Sequence, residues 1–233
     1  MSAAEHTLVI MRHGHSEWNL ANRFTGWSDI PLTETGLNEA TIAGKRLSDA
    51  GFHFDEVHTS VLHRNRQTAD SLLAAAGHPE IPILTTWRLN ERHYGQLQGM
   101  NKQEIFTQWG EEQAQRWWRG YLDPPPPLPM DDPRHPRFDP LYQELEPHEL
   151  PASESLAQCQ ARLLPYWQQA ICTRIRSGSR LLIIGHGNTL RGLRMHIENI
   201  GPEEIEQIEI PMAIPLVYRL DSNMAVIAAE WLE

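Results

Sequence analysis

The sequence predicts an α/β protein whose helices flank a mostly parallel central sheet. Three observations carry that expectation. Short apolar, β-branched runs alternate along the chain with stretches of helical periodicity. Two of those runs, Leu8-Val9-Ile10-Met11 and Leu181-Leu182-Ile183-Ile184, are apolar at every position, which suits strands buried on both faces. No repeat of solenoid period interrupts the alternation. At 233 residues the chain fits one domain, or one domain with a sizeable insert.

The elements follow in order. After the first strand, residues 35–50 read as a helix with Leu37, Ala40, Thr41 and Leu47 on its inward face and Gly51 just past its end. Residues 56–59 form a short strand. Residues 64–76 form a helix, because Ala69, Leu72, Leu73 and Ala76 recur at i, i+3, i+4 and i+7, with Gly77 closing it. Residues 81–84 are a further strand, and 101–119 a Trp-rich helical stretch. Residues 124–151 then carry 10 of the chain's 17 prolines. That density excludes helix and central strand, so this part of an insert spanning roughly 100–152 is an irregular surface excursion, either a stiff solvated loop or a lid. A long helix starts at Ser155, whose spacing to Gln158 matches a capping box. Its stripe is Leu156, Leu163, Leu164, Trp167, Ile171 and Ile175, and Pro165 is a candidate kink. The second apolar strand leads into a helix from about Asn188, and strands at 215–220 and 225–231 finish the chain.

Composition excludes several classes of function. There are 20 Lys+Arg against 30 Asp+Glu, a net charge of −10, which disfavours a nucleic-acid binder or a protein docked on an anionic membrane. No apolar run approaches the roughly 20 residues that span a bilayer. Residues 1–7 are short and polar and resemble no signal peptide. Cys159 and Cys172 have no metal or redox spacing and are expected as free, buried thiols. The expected setting is the cytoplasm. The basic residues are lopsided, since all but Lys45 and Lys102 are arginine.

The chemistry belongs where two strands end alike. The first apolar strand runs into Arg12-His13-Gly14 and the second into Gly185-His186-Gly187. Ligands of open α/β sheets bind outside the carboxyl ends of strands. Glycine beside each histidine is expected to let backbone N–H groups approach an anion, and the helix after Gly187 to offer its positive N-terminus. Arg12 adds a planar fork for phosphate oxygens. A neutral imidazole can attack phosphorus near pH 7 without first losing a proton, so phosphoryl transfer through a histidine nucleophile fits. Cations must then surround the charge spread over the transferring group, with Arg12, Arg64 and a protonated or N–H-donating His186 as candidates. A general acid must protonate the leaving alkoxide.

These residues carry a resemblance. Arg12-His13-Gly14-His15-Ser16 resembles the signature of the histidine phosphatase superfamily. Glu17-Trp18-Asn19, the stretch Asn22-Arg23-Phe24-Thr25-Gly26-Trp27, and Trp87-Arg88-Leu89-Asn90-Glu91-Arg92-His93-Tyr94-Gly95 are similar to its cofactor-dependent phosphoglycerate mutase branch. So are the four prolines from Pro124 and the stretch from Gly185 to Gly192. The resemblance implies a three-layer fold, one domain over 1–233, and interconversion of 3- and 2-phosphoglycerate primed by 2,3-bisphosphoglycerate without a metal. It implies that His13 is the phosphorylated nucleophile and Glu91 the proton donor and acceptor. Arg12, Arg64 and His186 would hold the phosphoryl group. Asn19, Thr25, Gly26, Arg92, Tyr94, Lys102, Arg119, Gly187 and Asn188 would position the rest of the substrate, although Lys102 also reads as a solvated helix start.

Three departures bear on this. Where the branch usually has two arginines, the chain has Trp118-Arg119, so Trp118 is either core or a change in the site, and Arg116 is a possible substitute cation. The sequence ends at Glu233, where many mutases continue into a shielding tail, which would favour water as acceptor. Gln67 stands where a basic residue is common. The alternatives are therefore a phosphohistidine-based phosphatase of small phosphoesters and a non-catalytic phospho-metabolite sensor. A homodimer is possible. A metal site on His13 and His15 lacks a supporting ligand set.

Overall fold

The computed structural model describes residues 6–233; the polar start of the chain, residues 1–5, lies outside it. A six-stranded sheet forms from β1 (His6–Arg12), β2 (Glu56–Thr59), β3 (Ile83–Thr85), β4 (Leu181–Gly185), β5 (Leu216–Leu220) and β6 (Val226–Trp231). Their order is β3-β2-β4-β1-β5-β6. The first four are parallel; β5 and β6 turn back antiparallel at one edge, so the sheet is mixed with a parallel majority. The register pairs Leu8 with Leu181 and Arg12 with Gly185, which brings the two strand-end histidines together at the carboxyl ends of the two central strands.

Alternation along β1 and β4 explains the layers, because successive side chains of a strand face opposite ways. Leu8, Ile10, Leu181 and Ile183 pack with Leu163, Trp167, Ile171, Leu190 and Leu193. Val9, Met11, Leu182 and Ile184 pack on the other side with Ala43, Leu47, Ala69, Leu72 and Leu73. The second group belongs to α1 (Glu34–Asp49) and α2 (His63–Ala76), which cover that face. In α1 the buried stripe is Gly36, Ala40, Ala43, Gly44 and Leu47; Leu37 and Thr41, expected inward, are half-buried beside it. The small residues at 36, 40, 43 and 44 let α1 pack close, and the bulkier Leu37 takes the margin.

The Trp-rich stretch is two helices, α3 (Lys102–Trp109) and α4 (Glu111–Arg119), because Gly110 adopts φ +80° between them. Strand β3 starts at Ile83, two residues later than expected, since Pro82 has no N–H for a ladder. The long helix begins as α5 (Leu156–Tyr166), with the Ser155–Gln158 capping box formed. It is not broken at Pro165. It passes through one π turn at Trp167–Ile171 into α6 (Cys172–Arg176). Proline cannot donate to the carbonyl four residues back, and a widened turn absorbs that loss. The wide turn also keeps Leu163, Trp167, Ile171 and Ile175, spaced by four, on one buried face. Cys159 and Cys172 are free and buried.

The Pro-rich excursion holds three 3₁₀ turns, each with proline at its start. It is anchored rather than loose. Buried Tyr142 accepts a hydrogen bond from Asn90 Nδ2 at 2.9 Å, and Pro126 O accepts one from Gln96 N at 2.9 Å. It buttresses the loop at 87–98 from outside. Among the described residues, no helix is long and apolar enough to cross a membrane.

Candidate active site

A cleft of roughly 200 Å³ opens at the carboxyl ends of β1 and β4. Of the residues singled out above, Arg12, His13, Asn19, Thr25, Gly26, Arg64, Glu91, Tyr94, Lys102, Arg119, Gly187 and Asn188 line it. His186 and Arg92 do not. His186 is fully buried just beneath, its ring centroid 5.0 Å from that of His13 at an interplanar angle of 68°.

His13 directly follows β1 with 3% exposure, and its Nδ1–H donates to Gly14 O at 2.7 Å. That bond places the proton on Nδ1 and leaves Nε2 with a free lone pair, the state a nucleophile needs. Burial, and then the guanidiniums of Arg64 and Arg12, hold His13 well below the usual imidazole range of 6.5. The same causes, burial first, act on His186. Of the two states expected for His186, burial favours the neutral ring; its Nε2 shares a hydrogen bond of 2.9 Å with Ser60 Oγ. A nitrogen-detected NMR titration should show His13 neutral, with its proton on Nδ1, from pH 8 down through 6.5, because a lowered pKa moves the second protonation to more acid conditions. A midpoint at or above 6.5 would mean that the ring is not buried beside the two guanidiniums as the structure has it.

Glycine plays a different part from the one expected. Gly14 N–H donates to Thr68 Oγ1 at 3.3 Å, and a side chain at Gly14 would strike the backbone of Gly36. Gly185 is likewise closed off by Leu190. These two glycines allow close packing of helix on strand, and of the glycines beside the two histidines only Gly187 borders the cleft. The positive start of α7 (Gly187–Glu198) is also already used. Glu91 Oε1 accepts from Asn188 N at 3.1 Å and from Arg92 N at 2.8 Å, so a side-chain carboxylate, not a ligand, sits at that helix end. Glu91 is buried, at 8% exposure.

Arg64 is buried and donates to Ser28 O and Gly26 O at 2.9 and 2.8 Å. Burial lowers it to about 10, still a cation at neutral pH. Arg92 is held behind the cleft wall by Trp117 O and Trp118 O, with its guanidinium 4.6 Å from the Tyr94 ring centroid. It supports Tyr94, whose hydroxyl accepts from Asn188 Nδ2 at 2.8 Å.

Trp118 packs against a core cluster and also forms part of the cleft wall, where it carries Lys102 Nζ 4.9 Å above its ring. Arg116 does not replace the missing arginine; it is exposed and pairs with Glu112 at 2.8 Å. Gln67 serves structure, accepting from Leu32 N at 2.9 Å. His15 turns away from His13 to Glu39, and among the described residues no cluster of His, Cys, Asp or Glu is arranged for a metal ion.

Sequence reasoning missed Arg23, Phe24, Arg191, Glu209, Ile210 and Met212 in the lining, and Ser60 beneath it. Arg191 could have been found, since it lies three residues after Asn188 on one helix face. Its Nη1 donates to Asn188 Oδ1 at 2.8 Å. Ser60 likewise follows the end of β2. Residues 205–213 offered no periodicity, yet they act as a strap. Ile205 O accepts from Arg191, Glu206 O and Ile208 O from Arg119, and Ile210 O from Arg12. The cleft thus gathers six cations, Arg12, Arg23, Arg64, Lys102, Arg119 and Arg191, against the carboxylates of Glu91 and Glu209. The local charge is positive within an acidic protein.

Residues 8–135 and 132–229 match the histidine phosphatase superfamily (branch 1). The chain belongs to that superfamily. The 2,3-bisphosphoglycerate-dependent phosphoglycerate mutase of Nitratidesulfovibrio vulgaris (strain DSM 19637 / Miyazaki F) is 48% identical over 227 residues, 97% of this chain and 91% of the relative. Among solved structures, Bacillus stearothermophilus YhfR is 26% identical with a TM-score of 0.70, covering 94% of this chain and 93% of its own. The phosphoglycerate mutase of Bacillus anthracis str. Sterne shares the fold at a TM-score of 0.70 and 18% identity, over 98% and 93% of the two chains. A mycobacterial glucosyl-3-phosphoglycerate phosphatase shares it at 0.71 and 19%, over 97% of each. Proteins named as mutases and as phosphatases thus have this superfamily fold, and the fold alone does not separate them.

Proposed function

We propose that the protein interconverts 3-phosphoglycerate and 2-phosphoglycerate through a phosphohistidine at His13. The observation that carries this reading is the pairing of an Nε2 lone pair on His13 with the carboxylate of Glu91 in one cation-lined cleft. The 48% identity to a protein named as a mutase supports this choice over the phosphatase.

The residues also fit a bisphosphate. Arg12 Nε, Arg64 Nε, Thr25 Oγ1 and His186 Nδ1 are buried and have no hydrogen-bond partner among the described residues. Buried polar groups are rarely left so, and phosphate oxygens would satisfy them. When bound, 2,3-bisphosphoglycerate supplies the phosphoryl group that charges His13. His13 Nε2 attacks phosphorus as the ester P–O bond breaks, and Glu91, entering this step in its protonated form, gives its proton to the departing alkoxide and is left as the carboxylate. In the return step Glu91 takes the proton of the acceptor hydroxyl, which attacks phosphorus as the N–P bond breaks. Arg12, Arg64 and neutral His186 stabilise the transferring group. Lys102, Arg119 and Arg191 bind the remaining anionic groups of the substrate. A cytoplasmic location goes with this reading.

The test is direct. Given 3-phosphoglycerate and catalytic 2,3-bisphosphoglycerate, the protein should form 2-phosphoglycerate, and omitting the primer should slow the onset. Release of mostly free phosphate would assign a phosphatase, and binding without turnover a sensor.

A further inference from the structure

The loop that presents Glu91 has little pairing of its own. Between β3 and α3 it makes two 3₁₀ turns, and several carbonyls around Glu91 are met by one side chain. Arg162, on α5 and outside the cleft lining, collects them. Its Nη1 donates to Trp87 O at 3.1 Å, Arg88 O at 2.9 Å and Asn90 O at 3.3 Å. Its Nη2 donates to Asn90 O at 3.3 Å and to Glu91 O at 3.2 Å. Glu154 holds the guanidinium from the other side, with Nε and Nη2 at 2.8 and 2.9 Å from its two oxygens. Glu154 also grips the far end of the loop. Its Oε2 accepts from His93 N at 2.9 Å, and its own N–H donates to His93 O at 2.8 Å. The rings of Trp27 and Trp87 lie 5.4 and 5.8 Å from the Arg162 guanidinium, and Trp27 Nε1 donates to Glu91 O at 2.6 Å. Arg162 is 8% exposed and Glu154 4%.

We propose that Arg162 and Glu154 are positioning residues for Glu91, fixing the backbone from which its carboxylate reaches the leaving oxygen. This rests on the reading of Glu91 as proton donor and acceptor. Proton transfer demands hydrogen-bond distance, and a displacement near 1 Å can cost about 10²-fold in rate. Only a planar fork can serve four carbonyls and a carboxylate together; a lysine ammonium has three donors at one point. Residues 91 and 93 are thereby tied to one buried ion pair, and Glu91 cannot drift without breaking it.

The experiment uses the full chain with Arg162→Lys and, as a milder change that keeps the shape at the other end, Glu154→Gln. Phosphorylation of His13 is timed with two donors. With 2,3-bisphosphoglycerate the leaving alkoxide needs a proton; with acetyl phosphate the leaving acetate needs none. The expected result is a loss of about 10- to 100-fold with the first donor, unchanged charging by the second, and an unchanged KM for 3-phosphoglycerate. Equal slowing with both donors would reduce the pair to general support of the fold and overturn the proposal. So would equal, undiminished rates with both. Should Arg162→Lys fail to fold, Glu154→Gln decides by the same comparison. Failure of the wild-type protein to charge from 2,3-bisphosphoglycerate would instead count against the proposed function itself.

Discussion

His13→Ala should abolish phosphoryl uptake and lower turnover by about 10⁵-fold or more, as expected when a covalent nucleophile is deleted. The geometry leaves no replacement. His186 is the neighbouring imidazole, but its Nε2 is engaged with Ser60 and the ring lies below the cleft. His15 faces Glu39. The measurement is the amount of acid-labile phosphoryl group on the protein after incubation with 2,3-bisphosphoglycerate, alongside the rate of 2-phosphoglycerate formation. The fold should persist, because Arg12 is fixed by Ile210 O and Arg64 by Ser28 O and Gly26 O independently of the imidazole. A variant that is still phosphorylated would place the nucleophile elsewhere.

Glu91→Gln should cost about 10²–10⁴-fold in turnover, the usual range for a lost general acid–base, with KM changed little. Glutamine keeps an oxygen for Arg92 N and Asn188 N, so the loop and the start of α7 stay capped. What it lacks is a transferable proton. Its loss should therefore vanish with a phosphoryl donor whose leaving group needs none. Near wild-type turnover in both directions would remove Glu91 from proton transfer and leave it as the cap of that helix.

Much of the fold was legible because it rests on local patterns. The two uniformly apolar runs became the central strands β1 and β4, and the capping pair Ser155 and Gln158 marked the start of α5. Helix α2 ends at Gly77, in the left-handed conformation that glycine favours. The failures were tertiary. Gly14 and Gly185 admit a helix and a leucine, not an anion, and only the packing of α1 and α7 reveals this. Glu91 could not be foreseen at the start of α7, because 97 residues separate it from Asn188. Trp118 serves both a core cluster and the cleft wall, and nothing local in the sequence reveals that double placement. Arg92 matched its motif but faces the wrong way, toward carbonyls of α4. The strap at 205–213 is read by its carbonyls, which every sequence possesses.

That strap has a consequence for the charge of the cleft. It anchors Arg12, Arg119 and Arg191 through neutral backbone dipoles. Among the described residues, none of the six cleft cations forms an ion pair with a carboxylate. Glu91 and Glu209 offset only part of the positive field, and an arriving polyanion has no direct ion pair with these cations to displace. Mutual repulsion among these cations is a cost the folded chain carries, consistent with Arg191 being lowered to about 9 by burial and then by Arg119 and Arg92. A bound phosphoester relieves that repulsion, so substrate acts as a missing counter-charge of the fold and links metabolite concentration to the protein's own stability.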